Sequence, residues 1–180
     1  MKRAMSISGQ RKRRTTRTLP LIVCLVFTAL SVLGSDGPAV RVAPTDSVGP
    51  RTLEKQTQTA VIRDYLEAWH SLTVAFERNR PDLLDASFVG TAKDKLADTI
   101  LDQAKLGIQT RYRDGSHDLQ LVFYSPEGLS IQLLDTVEYD VQVLDHGKLQ
   151  TTQHVRAHYV AVMTPTEVRW KVRIFQAKPE

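Results

Sequence analysis

A chain of 180 residues, 42% apolar and 24% charged, holds one ordinary domain with a little to spare. Its net charge of +4 is unevenly placed: seven cations and no acid precede residue 19, which leaves 17 cations against 20 acids in the remainder. A nucleic-acid-binding domain needs a basic globular surface, and this one is mildly acidic, so no nucleic acid is expected as a partner.

Residues 1–18 are a basic segment expected on the cytoplasmic side. Residues 19–34 carry no charge and run from Leu19 through Cys24 to Gly34, the pattern of a signal peptide's apolar region or of a membrane anchor. Val32-Leu33-Gly34 offers a cleavage site, whereas the long basic flank suits an uncleaved anchor; both remain open. Either way the rest of the chain is expected to be exported, membrane-anchored or released. Cys24 lies inside the apolar run rather than after it, which excludes a lipobox, and Thr15-Thr16-Arg17 after Arg13-Arg14 departs from a twin-arginine signal. Beyond Cys24 there is no cysteine, hence no disulfide, thiolate zinc site or catalytic thiol. Residues 35–51, rich in Gly, Pro and small polar side chains, read as a flexible linker, and 52–180 as the domain.

Within the domain, Val61, Tyr65, Ala68/Trp69, Leu72 and Phe76 recur at helical spacing and predict an amphipathic helix over about 53–78, with Arg63, Asp64, Glu67 and Glu77 off its stripe. Pro81 stops it and suits the start of a short second helix over 82–89. Thr91, with Asp94 three residues on, is expected to cap a third helix whose face is Leu96, Ile100, Ala104 and Ile108 and which frays near Arg113. The period then changes to two. Strands are predicted around Leu119–Phe123, Leu129–Val143, Val155–Met163 and Val168–Ile174, separated by turns at Ser125–Gly128, Asp145–Lys148 and Thr164–Thr166. Three helices before four meandering strands give an α+β fold, helices laid on one face of a curved antiparallel sheet.

Register follows from keeping one face apolar. A three-residue loop at Asp145–Lys148 pairs Val143 with Thr151, Tyr139 with Val155, Val137 with Ala157 and Asp135 with Tyr159; on the other face it sets Glu138 against Arg156, Asp140 near His154 and Thr136 near His158. The same reading places Val160, Val162 and Phe175 outward among Arg169, Lys171 and Arg173, an apolar patch suited to a homodimer.

His154 and His158 have the spacing of a helical metal pair, but four residues along a strand separate them by about 13 Å, so no metal is expected. His117 and His146 fall in turns. No phosphate loop or nucleophile elbow is present in the sequence, and no cofactor is expected. Asp135 breaks the pattern, sitting in the apolar phase between Leu133 and Val137. An unbulged strand points it at the helices, as a pocket acid with Tyr159 opposite, Tyr139 nearby and Tyr65 or Trp69 as walls; a bulge at Leu133-Leu134 turns it outward.

Helices in this order followed by a meander ending in Val168-Arg169-Trp170-Lys171-Val172 resemble the nuclear transport factor 2-like, or SnoaL-like, superfamily over about 53–178. The layout is most similar to exported or membrane-anchored domains related to the mitochondrial inner-membrane translocase subunit and to chloroplast-division domains. The resemblance implies a cone with a pocket between sheet and helices. Ligand-pocket candidates are Tyr65, Trp69, Asp135, Tyr139 and Tyr159; the steroid-isomerase trio of a tyrosine and two acids does not map onto the chain. The leading expectation is a non-catalytic envelope domain that binds a protein partner or a small apolar ligand. Its rivals are a small-molecule isomerase, hydratase or hydrolase with Asp135 as general base, and an accessory subunit of a secretion or lipid-transport complex.

Overall fold

The computed structural model describes residues 37–45 and 48–178. The basic and apolar segments 1–18 and 19–34 lie outside the described residues. Among those described, no helix is long and apolar enough to cross a membrane.

Helix α1 spans Lys55–Arg78 and buries the expected stripe of Val61, Tyr65, Ala68, Trp69, Leu72 and Phe76. Asp64 is buried with them: its carboxylate accepts the Trp170 backbone N–H at 2.8 Å and pairs with Arg63 at 2.9 Å. The helix closes one turn before Pro81, because Asn79 adopts the left-handed conformation, φ 52°, and donates its N–H to the last carbonyls.

Among the described residues there are two α-helices, not three. Where a second was expected, Pro81–Leu84 makes a single 3₁₀ turn. Phe88 then extends to form a parallel bridge with Val172, the Val89 N–H donating to the Val172 carbonyl at 2.9 Å. Edge pairing to the sheet takes residues that the sequence pattern assigned to a helix. Helix α2 spans Gly90–Lys105. Thr91 does not cap it; its hydroxyl donates to the Arg173 carbonyl. Nor does α2 reach Arg113, since Gly107 at φ 70° ends the helical path and Ile108 opens a strand.

Among the described residues the sheet has six strands rather than four. Four of them, β3 (Ile108–Tyr124), β4 (Ile131–Asp145), β5 (Lys148–Pro165) and β6 (Trp170–Lys178), form the antiparallel meander. Two short segments add to the outer edge of β3: β1 (Ala39–Val42) and β2 (Gly49–Pro50) both run parallel to it. Backbone pairing thus orders part of 35–51, a stretch whose composition alone reads as linker.

Between β4 and β5 the register is the expected one at every quoted pair, from Val143 opposite Thr151 to Asp135 opposite Tyr159. The loop that produces it differs. Asp145 pairs with Lys148 around a two-residue turn, His146 and Gly147, both at positive φ, and a bulge at Gln150 supplies the extra residue. Bulges also reset β3 at Gly115 and Val122 and β6 at Arg173. The last one corrects the assignment of Phe175. After the bulge Phe175 turns inward, stacked on Tyr159 at 4.7 Å, and Ile174 takes the outward place beside Val162.

The core lies between α1 and the inner face of the sheet, where Leu119, Leu121, Ile131, Leu133, Val137, Ala161, Met163 and Val172 are almost wholly excluded from solvent. Burying each such Leu, Ile or Met contributes about 1.5–3 kcal/mol. No bulge interrupts β4 at Leu133-Leu134, so the inner phase carries through Asp135, which is 1% exposed.

Candidate functional site

Asp135 therefore points at α1 and sits at the centre of a buried polar cluster. Tyr65, on the stripe of α1, donates its hydroxyl to Asp135 Oδ2 at 2.9 Å. His117 Nδ1 lies 2.7 Å from the same oxygen, and His117 Nε2 lies 2.9 Å from Asp114 Oδ2. A carboxylate only accepts, so an imidazole flanked by two of them is satisfied as a cation with both nitrogens protonated. Burial alone disfavours that cation, but the hydrogen bonds and charges of Asp114 and Asp135 outweigh it and lift the His117 pKa to about 9. Burial, together with the Asp135 charge, pushes the Tyr65 phenol well above its ordinary value and keeps it a donor.

His117 was expected in a turn. It is 1% exposed and belongs to β3, which starts eleven residues before Leu119. Stepping back by two from Leu119, the first inward residue of the predicted strand, lands on His117. The Gly115 bulge then brings Asp114 to the same side, opposite Tyr139. The inward phase was the signal that could have found His117; the bulge that recruits Asp114 leaves no mark in alternation.

The structure brings all five pocket candidates together. Trp69 lies 5.3 Å from the His117 ring, 6.0 Å from Tyr139, 5.3 Å from Tyr159 and 5.5 Å from Phe175. The Tyr139 and Tyr159 hydroxyls approach to 3.3 Å, and Tyr112 packs edge-on against Tyr139. Burial and the neighbouring phenol push Tyr112 up to about 12 and Tyr159 higher still. These rings touch one another across the space between sheet and helix, as core side chains do. Among the described residues, three buried polar atoms here have no hydrogen-bond partner: Trp69 Nε1, Asp114 Oδ1 and Asp135 Oδ1.

Of the clefts that border the cluster, two exceed 600 Å³. One, of about 620 Å³, runs between α1 and β3 and is lined by Leu66, Glu67, His70, Tyr112, Arg113 and Asp114. Asp114 reaches it with a side chain 22% exposed. The other, of about 700 Å³, lies on the outer face along Asp118, Gln120, Leu134, Thr136, His158 and Lys178. Asp135 borders it in the strand, but its carboxylate has 0% exposure and is not offered there. His154 and His158 both sit on β5 and are spoken for separately, His154 by Asp140 at 2.9 Å and His158 by Thr136 at 2.9 Å. Glu138 and Arg156 lie 3.6 Å apart in the expected pair.

No family model matches the chain, and neither does any curated protein. Solved structures do. The intermembrane space region of the chloroplast protein ARC6 superposes with a TM-score of 0.58 at 16% identity, over 73% of this chain and 100% of that one. A putative scytalone dehydratase from Novosphingobium aromaticivorans matches with a TM-score of 0.49 at 13% identity, over 70% of this chain and 89% of that one. This chain shares its fold with the ARC6 region. Likeness at this identity concerns the fold alone.

Proposed function

We propose that this is a non-catalytic binding domain, held outside the cytoplasmic membrane by residues 19–34 or released there after their cleavage, and that it serves a protein partner in preference to a small apolar ligand. The observation that carries the reading is the state of Asp135. A general base must reach a substrate proton at about 2.6–3.2 Å, directly or through one water. Asp135 is fully buried, and the oxygen that faces the cluster already accepts from Tyr65 and His117. The aromatic interior favours a protein partner over a small ligand, because Trp69 and its neighbours fill the space in which a ligand would sit.

Export rests on the basic flank and the uncharged run of 19–34. A domain of this fold in the intermembrane space region of ARC6 is a precedent for such placement, and a closer kinship with translocase-subunit domains fits the same arrangement. So does service as an accessory subunit of a secretion or lipid-transport complex. The test is protease treatment of sealed spheroplasts carrying the full chain, followed by cross-linking in the membrane fraction. Digestion of the domain and capture of a stoichiometric protein partner are expected; a protected domain contradicts the placement.

One observation favours a second reading, an acid–base enzyme of the isomerase, hydratase or hydrolase kind. Asp114 opens on the cleft beside α1 and is tied through His117 to Asp135, so the reacting carboxylate is Asp114, not Asp135. Turnover of a small hydroxylated or carbonyl substrate that Asp114→Asn abolishes while leaving the fold intact would establish this reading over the first.

A further inference from the structure

We infer that the open edge of β5, from Thr151 to Ala157, takes a segment of a partner protein as a further strand of the sheet, and that acidic and apolar residues alternate along that segment. The inference rests on reading the domain as a module for a protein partner and states that partner's chemistry.

Strand β5 is longer than the neighbour on its far side. It pairs with β4 from Lys148 to Met163, but with β6 only from His158 to Pro165. In the half that β6 does not reach, every residue is exposed except Val155 and Ala157, which are half-buried. Alternate residues there turn their N–H and C=O groups away from β4, toward a side with no strand to receive them. Unpaired edges are usually guarded by proline, lysine or a bulge. Here Lys148 and the bulge at Gln150 guard only the start of β5. Thr151–Ala157 holds no proline, lysine or bulge and offers about 23 Å of regular edge.

Charge selects the occupant. The charged residues of β4 are all acids, whereas β5 and β6 contain no acid. On the outer face Glu138 and Asp140 of β4 stand opposite Arg156 and His154 of β5. A strand on the open side of β5 meets the same two basic side chains, which are 67% and 68% exposed. Glu138 meets Arg156 at Nε, 3.6 Å away, which leaves the fork of the guanidinium to another carboxylate. A second copy of this edge would bring only basic residues to the seam, and like charges directly opposite destabilise a strand pair. The inward positions select different side chains. Val155 and Ala157 lie at the margin of the core, and apolar residues opposite them complete their burial. Since successive side chains point to opposite faces, the segment that satisfies both faces alternates acidic with apolar residues.

The test uses the full chain in mild detergent and three peptides: one alternating Glu with Val over the length of the edge, one with the same composition in two blocks, and one with Lys in place of Glu. Hydrogen exchange read by mass spectrometry is expected to slow across Thr151–Ala157 with the alternating Glu peptide and not with the other two. Methylating the backbone nitrogens of one alternate set of its residues is expected to abolish that protection, and methylating the other set to spare it, because only one edge of the peptide faces the domain. Arg156→Glu is expected to weaken binding of the Glu peptide roughly fivefold and to admit the Lys peptide. No protection at millimolar peptide, protection that both methylated peptides retain, or an Arg156→Glu chain that still prefers Glu overturns the inference. Protection of these amides in the chain alone, rising with its concentration, identifies a second copy and overturns it too. A protein partner captured elsewhere on the domain overturns it while leaving the binding-domain reading standing, whereas turnover that depends on Asp114 defeats that reading without touching the edge.

Discussion

A histidine held between two aspartates in a hydrophobic interior ties stability to pH through a single side chain. In the unfolded chain His117 has the ordinary value of about 6.5; in the folded one it is raised to about 9. The folded state therefore binds the proton more tightly, so its contribution is fully present below about pH 6.5 and is lost as pH rises through about 9. Asp114 on its own strand, Asp135 on β4 and Tyr65 on α1 are the groups that face it. Melting temperature is expected to fall between pH 7 and pH 10, and the fall to shrink in His117→Gln; thermal unfolding across that range checks both. Removing one partner of a buried pair strands the other, so Asp135→Leu is expected to destabilise by about 3–5 kcal/mol in denaturant titration. Asp135→Asn, whose amide oxygen still accepts from Tyr65, is expected to cost less than half as much. A site tolerant of both changes would mean that Asp135 is not part of the cluster's support.

At the scale of elements, β-bulges decide what alternation alone cannot. The register of β4 on β5 was legible because a slip of one residue would set Tyr139, Val137 and Asp135 opposite exposed positions, whether a three-residue loop or a tight turn with a bulge delivers the pairing. Phe175 and Asp114 were not legible, since a bulge shifts the phase by one residue without changing composition. The end of α1 at Arg78 fell where the pattern put it, but the later helix bounds did not. Gly107 stops α2 through left-handed backbone, and Phe88 leaves helical geometry to pair with Val172, a contact 84 residues away that no local pattern encodes. Gly115 tests the role of its bulge. A Cβ there lies 2.8 Å from the Glu138 carbonyl oxygen, so backbone must move to admit it. Gly115→Ala is expected to cost about 1–3 kcal/mol and to speed amide exchange at Asp114 through His117, whereas an exposed control such as Gly147, with open space around its Cβ position, should leave those amides protected.

At the scale of the whole molecule, the expected address rests on charge and hydropathy alone, patterns that act before folding. The domain boundary was harder to read: β1 and β2 attach to β3 by backbone hydrogen bonds, with the Ala43 N–H donating to the Leu119 carbonyl at 2.8 Å and the Arg51 N–H to the Tyr124 carbonyl at 3.2 Å. Full-length chain is expected in the membrane fraction, and a chain starting at Gly37 in the soluble one. A chain starting at Arg51 loses both strands and should melt several degrees lower; equal melting temperatures would show that β1 and β2 add nothing to stability.

The binding-domain reading turns on the cluster being closed, with His117 a cation bridging two carboxylates and Asp135 withdrawn from any substrate. Nitrogen-15 NMR of the His117 ring reads this directly. Both ring nitrogens are expected to carry slowly exchanging protons at pH 7 and to titrate together near 9. A neutral ring at pH 7 with one unprotonated nitrogen, titrating at or below the ordinary 6.5, would contradict the account and return His117 and its two aspartates to the list of groups able to take a proton from a substrate.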